Sequence, residues 1–515
     1  MIALQARRLA LYLVLAFALV TAALSWWQVL DAPALAARPD NPEVIVARRS
    51  MPRGSIFDVR GEVLASSQVV DGLSRRTYPD PAFTHLIGFA SLRFGTTGLE
   101  RVWDDILIGQ TDPNPVNDIV DDVLGREPRP RDLTLTVDRR LQDFAAAQLG
   151  SDIGAVVAID PRTGAVLAMT STPTFNATPI SGDPVNAGPA MNQIRNQPGN
   201  PLVARDRQGR YTPGSIMKIV TAAAGLETGS ITPETTFPDQ PRQETEGFVV
   251  DGFRVLEHDL SPVRPALWAL SEALQVSSNI FFAHVGLEVG PEAYLDQARA
   301  FGFCAGLAIG DNDRPLPVAA SYLTTPEDGD CSPFTDRAEL AQASFGQGRV
   351  SVTPVQMALV AATIANNGVM PAPYVVRDVR AHVSRPARGP SDQVLETLAP
   401  PGGAQVVSSG TAAQVRSAMV DAVEGPLGRL YAGAGAVSNF GVPGVRTAGK
   451  TGTAELGPGQ EPHSWFIGFA PAQGSATPAI AVAVIVEGGG SGSGRAAPIG
   501  GAVMAEWLKI LGAGG

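Results

Sequence analysis

Three short polar clusters in this chain combine side chains able to make and break an acyl bond. Ser215 is followed three residues later by Lys218, so on a helix the two lie one turn apart on the same face. A serine hydroxyl is a poor nucleophile until a base removes its proton, and a lysine becomes such a base when burial lowers its pKa. Lys218 sits in an apolar run beside Ile219 and Val220, an unusual setting for a solvated ammonium. Ser277 and Asn279 stand two apart between apolar stretches. A hydroxyl there can relay a proton to a leaving amine, and a carboxamide can grip a substrate amide through both its donor and its acceptor. Lys450, Thr451, Gly452 and Thr453 bring a cation and two hydroxyls together, a good seat for a carboxylate, and Gly452 leaves room for a ligand backbone to approach closely.

Each cluster also has a plain structural explanation: a solvated helix lysine, a helix cap at Ser277 or Ser278, and a lysine guarding a strand edge. The elements around them weigh against coincidence. Pro213 and Gly214 read as a turn, and the alanine-rich run from Ile216 to Leu226 has no breaker before Gly225, so Ser215 falls at the start of a buried helix. Unpaired N–H groups at such a start favour negative charge on a reacting oxygen. A helical pattern from Leu267 to Val276 leads into Ser277, and Lys450 precedes two strand-like runs, Ser464–Phe469 and Ala479–Val486.

Elsewhere, Asp58 to Gly61 reads as a tight turn between short strands, and Gly95–Glu100 opens a helix reaching Leu107. Asp132–Val137 is a strand and Asp138–Leu149 a helix. Gly154–Asp160 and Gly164–Met169 form a hairpin, and a final helix covers Gly501 to Leu511. Residues Thr172 to Arg210, rich in Pro, Gly and Asn, read as a long loop ahead of Ser215. His85 is expected to be a hydrogen-bonded structural residue.

The chain's 515 residues exceed one domain's usual length, and 44% apolar with 17% charged residues fits a large globular core. A net charge of −11 with short, scattered basic runs argues against a nucleic-acid partner. Five dispersed histidines and two cysteines offer no metal-binding spacing, so neither a metal nor a cofactor is expected.

Leu9 to Leu30 carries no charge, and a helix of that length crosses about 30 Å of hydrocarbon. Arg7 and Arg8 precede it and Asp31 follows, which puts the short N-terminus in the cytoplasm and the bulk of the chain outside. Ala34-Leu35-Ala36 resembles a signal-cleavage site, but it lies several residues beyond a run that is long for a signal, so a retained anchor is favoured. Outside the cytoplasm, Cys304 and Cys331 can form a disulfide.

Taken in order, Ser-x-x-Lys, Ser-x-Asn and Lys-Thr-Gly resemble the motif set of the penicillin-binding protein and serine β-lactamase superfamily. The anchor, then Arg53-Gly54-x-Ile56-x-Asp58 and Gly98-Leu99-Glu100, looks like a class B penicillin-binding protein, a monofunctional peptidoglycan transpeptidase. Phe345-Gly346-Gln347-Gly348, the stretch Thr353–Ala358 and Ile364–Gly368 match that family too. Val59 departs from the family's usual arginine and Ile216 from its threonine or valine. The resemblance implies an α+β fold with three parts. These are a cytoplasmic tail and transmembrane anchor (1–31), a small extended pedestal of the dimerisation-like kind (32–131), and a transpeptidase domain (132–515). The last would have a central antiparallel sheet flanked by N- and C-terminal helices, plus an all-helical subdomain.

It also implies roles: Ser215 the nucleophile on a D-alanyl-D-alanine stem peptide, Lys218 its base, and Ser277 with Lys450 the proton relay. Asn279, Thr451, Gly452 and Thr453 would bind substrate. β-Lactams would acylate Ser215, and the implied partners are lipid-linked peptidoglycan and a membrane glycosyltransferase of the SEDS type. The same motifs fit a D,D-carboxypeptidase, a β-lactamase or antibiotic sensor, or a wall-assembly scaffold without turnover; a Ser/His/Asp hydrolase is disfavoured because Ser215 lacks a Gly-x-Ser-x-Gly setting.

Overall fold

A computed structural model of the chain describes residues 2–31, 51–70, 73–110, 129–310, 313–327, 329–398, 400, 402–473 and 477–513. The stretch 32–50, with its cleavage-like Ala34-Leu35-Ala36, lies outside them. Helix α1 (Ile2–Ser25) continues to Leu30 through a wider π-type turn. Among the described residues none buries its apolar span Gln5–Gln28, and Leu9, Leu13 and Phe17 are exposed. A helix with an apolar surface all round needs an apolar surrounding.

Strands β1 (Ile56–Phe57), β2 (Val63–Val70) and β3 (Leu73–Thr77) form an antiparallel meander. Its first turn is held by the Asp58 carboxylate, which accepts from the N–H groups of Arg60, Glu62 and Arg139 at 2.9, 2.7 and 3.1 Å. The helix expected to open over Gly95–Glu100 and reach Leu107 starts only at Gly98, after a short strand at Gly95–Thr96, and is broken at Trp103 into Gly98–Val102 and Asp104–Ile108. Beneath the meander, Glu100 is fully buried and accepts from Arg53 Nε and Arg76 Nε, both at 2.7 Å, and from the Tyr78 hydroxyl at 3.1 Å. His85 is buried with Nε2 2.7 Å from the Pro201 carbonyl, a structural contact as expected.

Strand β4 (Arg131–Leu135) pairs in parallel with β1. Asp138 caps α2 (Arg139–Leu149), accepting from the Arg140 N–H. The hairpin β5 (Gly154–Ile159) and β6 (Val166–Thr172) follows. The expected long loop instead contains two helices, α3 (Thr178–Gly182) and α4 (Pro184–Arg195). Pro179 and Pro184 occupy first-turn positions, where a missing N–H costs nothing, Pro189 lies inside α4, and Asp183 caps α4. Next come α5 (Lys218–Glu227), α6 (Gln240–Glu246), the hairpin β7 (Phe248–Val250) and β8 (Phe253–Val255), α7 (Leu270–Gln275), α8 (Asn279–Val289) and α9 (Pro354–Ala365). Cys304 and Cys331 are disulfide-bonded between α8 and α9. The chain ends with β9 (Val376–Ala381), β10 (Val394–Thr397), α10 (Ser409–Glu424), β11 (Ala448–Ala454), β12 (His463–Ala470), β13 (Ile480–Val486) and α11 (Ala496–Ala513). That last helix starts five residues earlier than its pattern indicates, its first turn hidden by Pro498 and Gly500.

Strands β11, β12, β13, β5 and β6 lie side by side in that order, all antiparallel. Val156, Phe466, Val482 and Val484 face α2 and α11, whose Leu141, Ala145, Val503 and Met504 cover them. Their neighbours Ala155, Val157, Ile467 and Ile485 point the other way, into a larger core with α5, α8 and α9. A sheet covered on both faces explains why its strands read as continuous apolar runs. A second sheet, ordered β10-β9-β4-β1-β2-β3, draws strands from both sides of residue 131, so it joins the N-terminal region to the C-terminal one.

Burial works against the charge of Glu100, but Arg76 and Arg53 outweigh it and hold its carboxyl below the ordinary range. With the folded pKa below the unfolded one, this contribution is present above the ordinary carboxylate pKa and is lost as pH falls through the folded value. Glu100→Ala leaves two buried guanidinium groups without their shared partner. The expected loss is about 3–5 kcal/mol in urea denaturation followed by tryptophan fluorescence, and a loss below about 1 kcal/mol would mean the cluster relaxes to water.

Candidate active site

Ser215 owes its position to a tight backbone junction. Gly214, at φ +57°, donates its N–H to the Gly346 carbonyl at 2.9 Å, and a Cβ there would come within 2.6 Å of the Thr453 carbonyl. One 3-10 turn, Gly214–Met217, then runs directly into α5, so Ser215 and Lys218 sit one turn apart at its start. Ala222, Ala223 and Ala224 give α5 a thin, wholly buried wall. At Gly225 a Cβ would meet Val285 of α8 at 2.8 Å, so the two helices pass too closely for any larger residue. That approach brings the first turn of α8 to Lys218.

Ser277 links α7 to α8 in the left-handed region at φ +60°. The capping expected at Ser277 or Ser278 falls to Ser278, whose hydroxyl accepts from the Phe281 N–H at 3.1 Å. Ser277 and Asn279, on either side, turn inward. Lys218 Nζ lies 3.0 Å from Ser215 Oγ, 2.5 Å from the Ser277 carbonyl, 3.3 Å from Ser277 Oγ and 2.8 Å from Asn279 Oδ1. From β11, Lys450 Nζ reaches Ser277 Oγ at 2.9 Å and the Thr451 carbonyl at 3.1 Å. Thr451 and Thr453 line the cleft with Ser215, Ser277 and Asn279, and the Gly492 N–H donates to Thr453 Oγ1 at 3.3 Å. The close approach at Gly452 is intramolecular: a Cβ there would come within 2.7 Å of the Pro213 carbonyl and 3.1 Å of Trp465 Cβ.

Both lysines are fully buried. Desolvation pulls Lys218 down to about 7, against a smaller upward pull from Glu257. Desolvation and the neighbouring Lys218 charge push Lys450 well below its usual value. The Ser277 carbonyl and Asn279 Oδ1 can only accept, so they engage both N–H bonds of a neutral Lys218 amine. The lone pair is left for the Ser215 hydroxyl. Such an arrangement can remove a proton from Ser215 and pass it through Ser277 Oγ towards Lys450.

The cleft holding these groups has a volume of about 720 Å³. Residues without a sequence signal also line it: Glu257 and His258 after β8, Tyr431, and Ser491–Ser493 after β13. Tyr431 ends a one-turn helix (Gly428–Tyr431), and the others lie on connections, where neither periodicity nor motif spacing marks a functional side chain. The Asp251-Gly252 pair between β7 and β8 is a local signal that could have marked a hairpin there.

The family model described as the penicillin binding protein transpeptidase domain matches residues 154–505, and that described as the penicillin binding protein A dimerisation domain matches residues 53–133. The chain belongs to the penicillin-binding protein transpeptidase family. It is 35% identical over 523 aligned positions to "Peptidoglycan D,D-transpeptidase PbpA" of Mycolicibacterium smegmatis, covering 98% of each chain. Among solved structures, it is similar to the penicillin G acyl-enzyme complex of penicillin-binding protein A from M. tuberculosis. The TM-score is 0.74 at 33% identity, over 89% of this chain and 100% of that one. The D,D-transpeptidase domain from Eggerthella lenta aligns at TM-score 0.72 and 29% identity, over 90% of this chain and 100% of that one.

Gly214→Ala tests the backbone junction. A side chain there must adopt positive φ and displace the Thr453 carbonyl, so a stability loss of about 1–3 kcal/mol is expected in thermal unfolding. An unchanged melting temperature would show that β11 and the Ser215 turn are not seated against each other.

Proposed function

We propose that the chain is a serine D,D-transpeptidase of cell-wall peptidoglycan, with Ser215 as nucleophile and Lys218 as its base. The observation that carries this reading is the fully buried Lys218 amine 3.0 Å from Ser215 Oγ, with its pKa drawn to about 7. The named activity of the mycobacterial relatives supports it, as do solved structures of similar proteins as β-lactam acyl-enzymes.

Lys218 takes the Ser215 hydroxyl proton as Oγ attacks the carbonyl of the penultimate D-alanine. The N–H groups of Ser215 and Thr453 receive the oxyanion. Asn279 aligns the stem peptide, the backbone edge at Gly452 runs alongside it, and Thr451 with Thr453 binds its terminal carboxylate. As the C–N bond breaks, the proton passes through Ser277 and Lys450 to the departing amine of D-alanine, leaving an ester on Ser215. The amino group of a second stem then attacks that ester. Its surplus proton returns by the same relay to Ser215 Oγ, and an amide cross-link results. β-Lactams enter as strained mimics of the dipeptide and stop at the ester.

Residues 1–31 serve as cytoplasmic tail and anchor, 32–131 as a pedestal and 132–515 as the reacting domain, outside the cytoplasmic membrane. The uncharged run from Leu9 onward on α1 and the Arg7/Arg8 pair just before that run support that orientation. Lipid-linked peptidoglycan is the substrate, and a SEDS-type glycosyltransferase is the partner this architecture calls for.

Ser215→Ala is expected to abolish covalent labelling by a fluorescent penicillin, and labelling that persists assigns the nucleophile elsewhere. For the unmodified chain, acylation should be fastest above about pH 7, where Lys218 is neutral, and fall about tenfold per unit below it. A flat profile between pH 5 and 8 removes Lys218 as base. Purified lipid-linked substrate, supplied with a polymerising glycosyltransferase, should yield cross-linked product; release of D-alanine without cross-links would identify a carboxypeptidase.

A further inference from the structure

Asn279 faces Lys218 with its oxygen and not its nitrogen, and the reason lies in a segment that no motif marks. Asn279 Nδ2 donates to the Leu256 carbonyl at 3.0 Å, which fixes the amide so that Oδ1 is the end 2.8 Å from Lys218 Nζ. The next residue, Glu257, has a side chain only 2% exposed and uses both carboxylate oxygens on the same turn. Oε1 accepts from the Asn279 N–H at 2.9 Å, and Oε2 from the Ser278 hydroxyl at 2.8 Å and the Ile280 N–H at 3.2 Å. Those are first-turn donors of α8, left without partners inside the helix, and they favour negative charge. Ser277, immediately before, is held at positive φ with its carbonyl 2.5 Å from Lys218 Nζ. A left-handed serine persists only where its surroundings hold it.

On the acyl-transfer reading above, we infer that Glu257 is a positioning residue of the reaction: its carboxylate locks the Ser277–Asn279 turn so that two carbonyl-type oxygens face the Lys218 amine. Burial would push the Glu257 carboxyl up, but the His258 contact, the Lys218 charge and the Asn279 N–H hold it below the ordinary range. It is therefore an anion at working pH. The other titratable groups around it are His258, with Nδ1 at 3.0 Å, Glu244 of α6, which shares the Ser278 hydroxyl at 3.4 Å, and Tyr431, edge-on to His258. Beyond them stand Lys218 of α5 and, through Ser277, Lys450 of β11. Glu257 thus has two effects on Lys218: it sets the geometry of its acceptors, and its charge favours the ammonium form.

Both effects can be read in the full-length protein from the pH dependence of the second-order rate of acylation by fluorescent penicillin. Glu257→Gln offers one acceptor atom in place of two and turns an NH2 towards N–H and O–H donors. The plateau rate is expected to fall by about tenfold or more, and the acidic limb to move to lower pH because the charge favouring Lys218 ammonium is gone. Glu257→Asp keeps the charge but falls a methylene short, so a reduced plateau with the limb in its wild-type place is expected. Wild-type plateau and limb in Glu257→Gln overturn the inference. So does a lowered plateau with an unmoved limb and a fallen melting temperature, which is the mark of a merely structural residue. If Glu257→Gln does not fold, Glu257→Asp decides alone: a reduced plateau supports the inference and an unchanged one overturns it. If the wild type itself is not acylated, the acyl-enzyme reading fails, and a crystal structure of the variant settles Glu257 separately. Asn279 Oδ1 still within hydrogen-bond distance of Lys218 overturns the inference, and displacement supports it.

Discussion

A primary amine shut away from water must find protein partners for two N–H bonds and one lone pair, and at Lys218 those partners come from two places, its own helix start and the distant Ser277–Asn279 turn. The Ser277 carbonyl and Asn279 Oδ1 take the N–H bonds, and Ser215 Oγ is left opposite the lone pair. An unpartnered amine would carry the full desolvation cost of a polar group, about 1–3 kcal/mol, and more if charged. Meeting that requirement constrains the backbone around it. The carbonyl of Ser277 is available because the turn takes positive φ, and the amide of Asn279 is available because Leu256 and Glu257 grip its other atoms.

The same requirement reaches outward through small residues. Alanines on α5 and the bare Gly225 let α8 come close enough for a lysine to span the gap, and a leucine at 225 would hold the helices apart. On the other side, β11 is an edge strand whose Gly452 lies against the Pro213 carbonyl, while the indole of Trp465 on β12 donates to the Thr212 carbonyl at 3.0 Å. The five-stranded sheet is therefore tied directly to the turn that carries Ser215. Helices on both faces make that sheet a rigid support, so the distance between Lys450 and Lys218 is set by packing and not by loop mobility.

Much of this could be read from the chain because the chemistry depends on close sequence neighbours. Ser215 and Lys218 are one helical turn apart, Ser277 and Asn279 flank a cap, and Lys450 leads an apolar strand pair, so local periodicity places each cluster on its element. What stayed hidden depends on partners distant in sequence. Glu257 sits in an irregular stretch, and its burial follows only from the docking of that stretch on α8. Residues 172–210 read as loop because proline was taken as a breaker, whereas Pro184 starts a helix capped by Asp183. The six-stranded sheet was equally out of reach: β9 pairs with β4, and β10 with β9, although more than two hundred residues separate β4 from β9.

Two amines on one hydroxyl oxygen also limit how much charge the site can hold. Lys218 and Lys450 both contact Ser277 Oγ, so they lie within two hydrogen-bond lengths of each other. Two ammonium charges at about 6 Å repel by roughly 3 kcal/mol even at an effective dielectric constant of about 20. Glu257 raises the Lys218 pKa, and a single carboxylate can balance a single cation. The pair therefore holds one proton more comfortably than two. In the acyl transfer proposed above, a proton arriving from Ser215 would make the second site more acidic, which would favour its onward transfer through Ser277 to a leaving amine. The group that accepts a proton in one half of that reaction would thereby be primed to release it in the other, without a histidine.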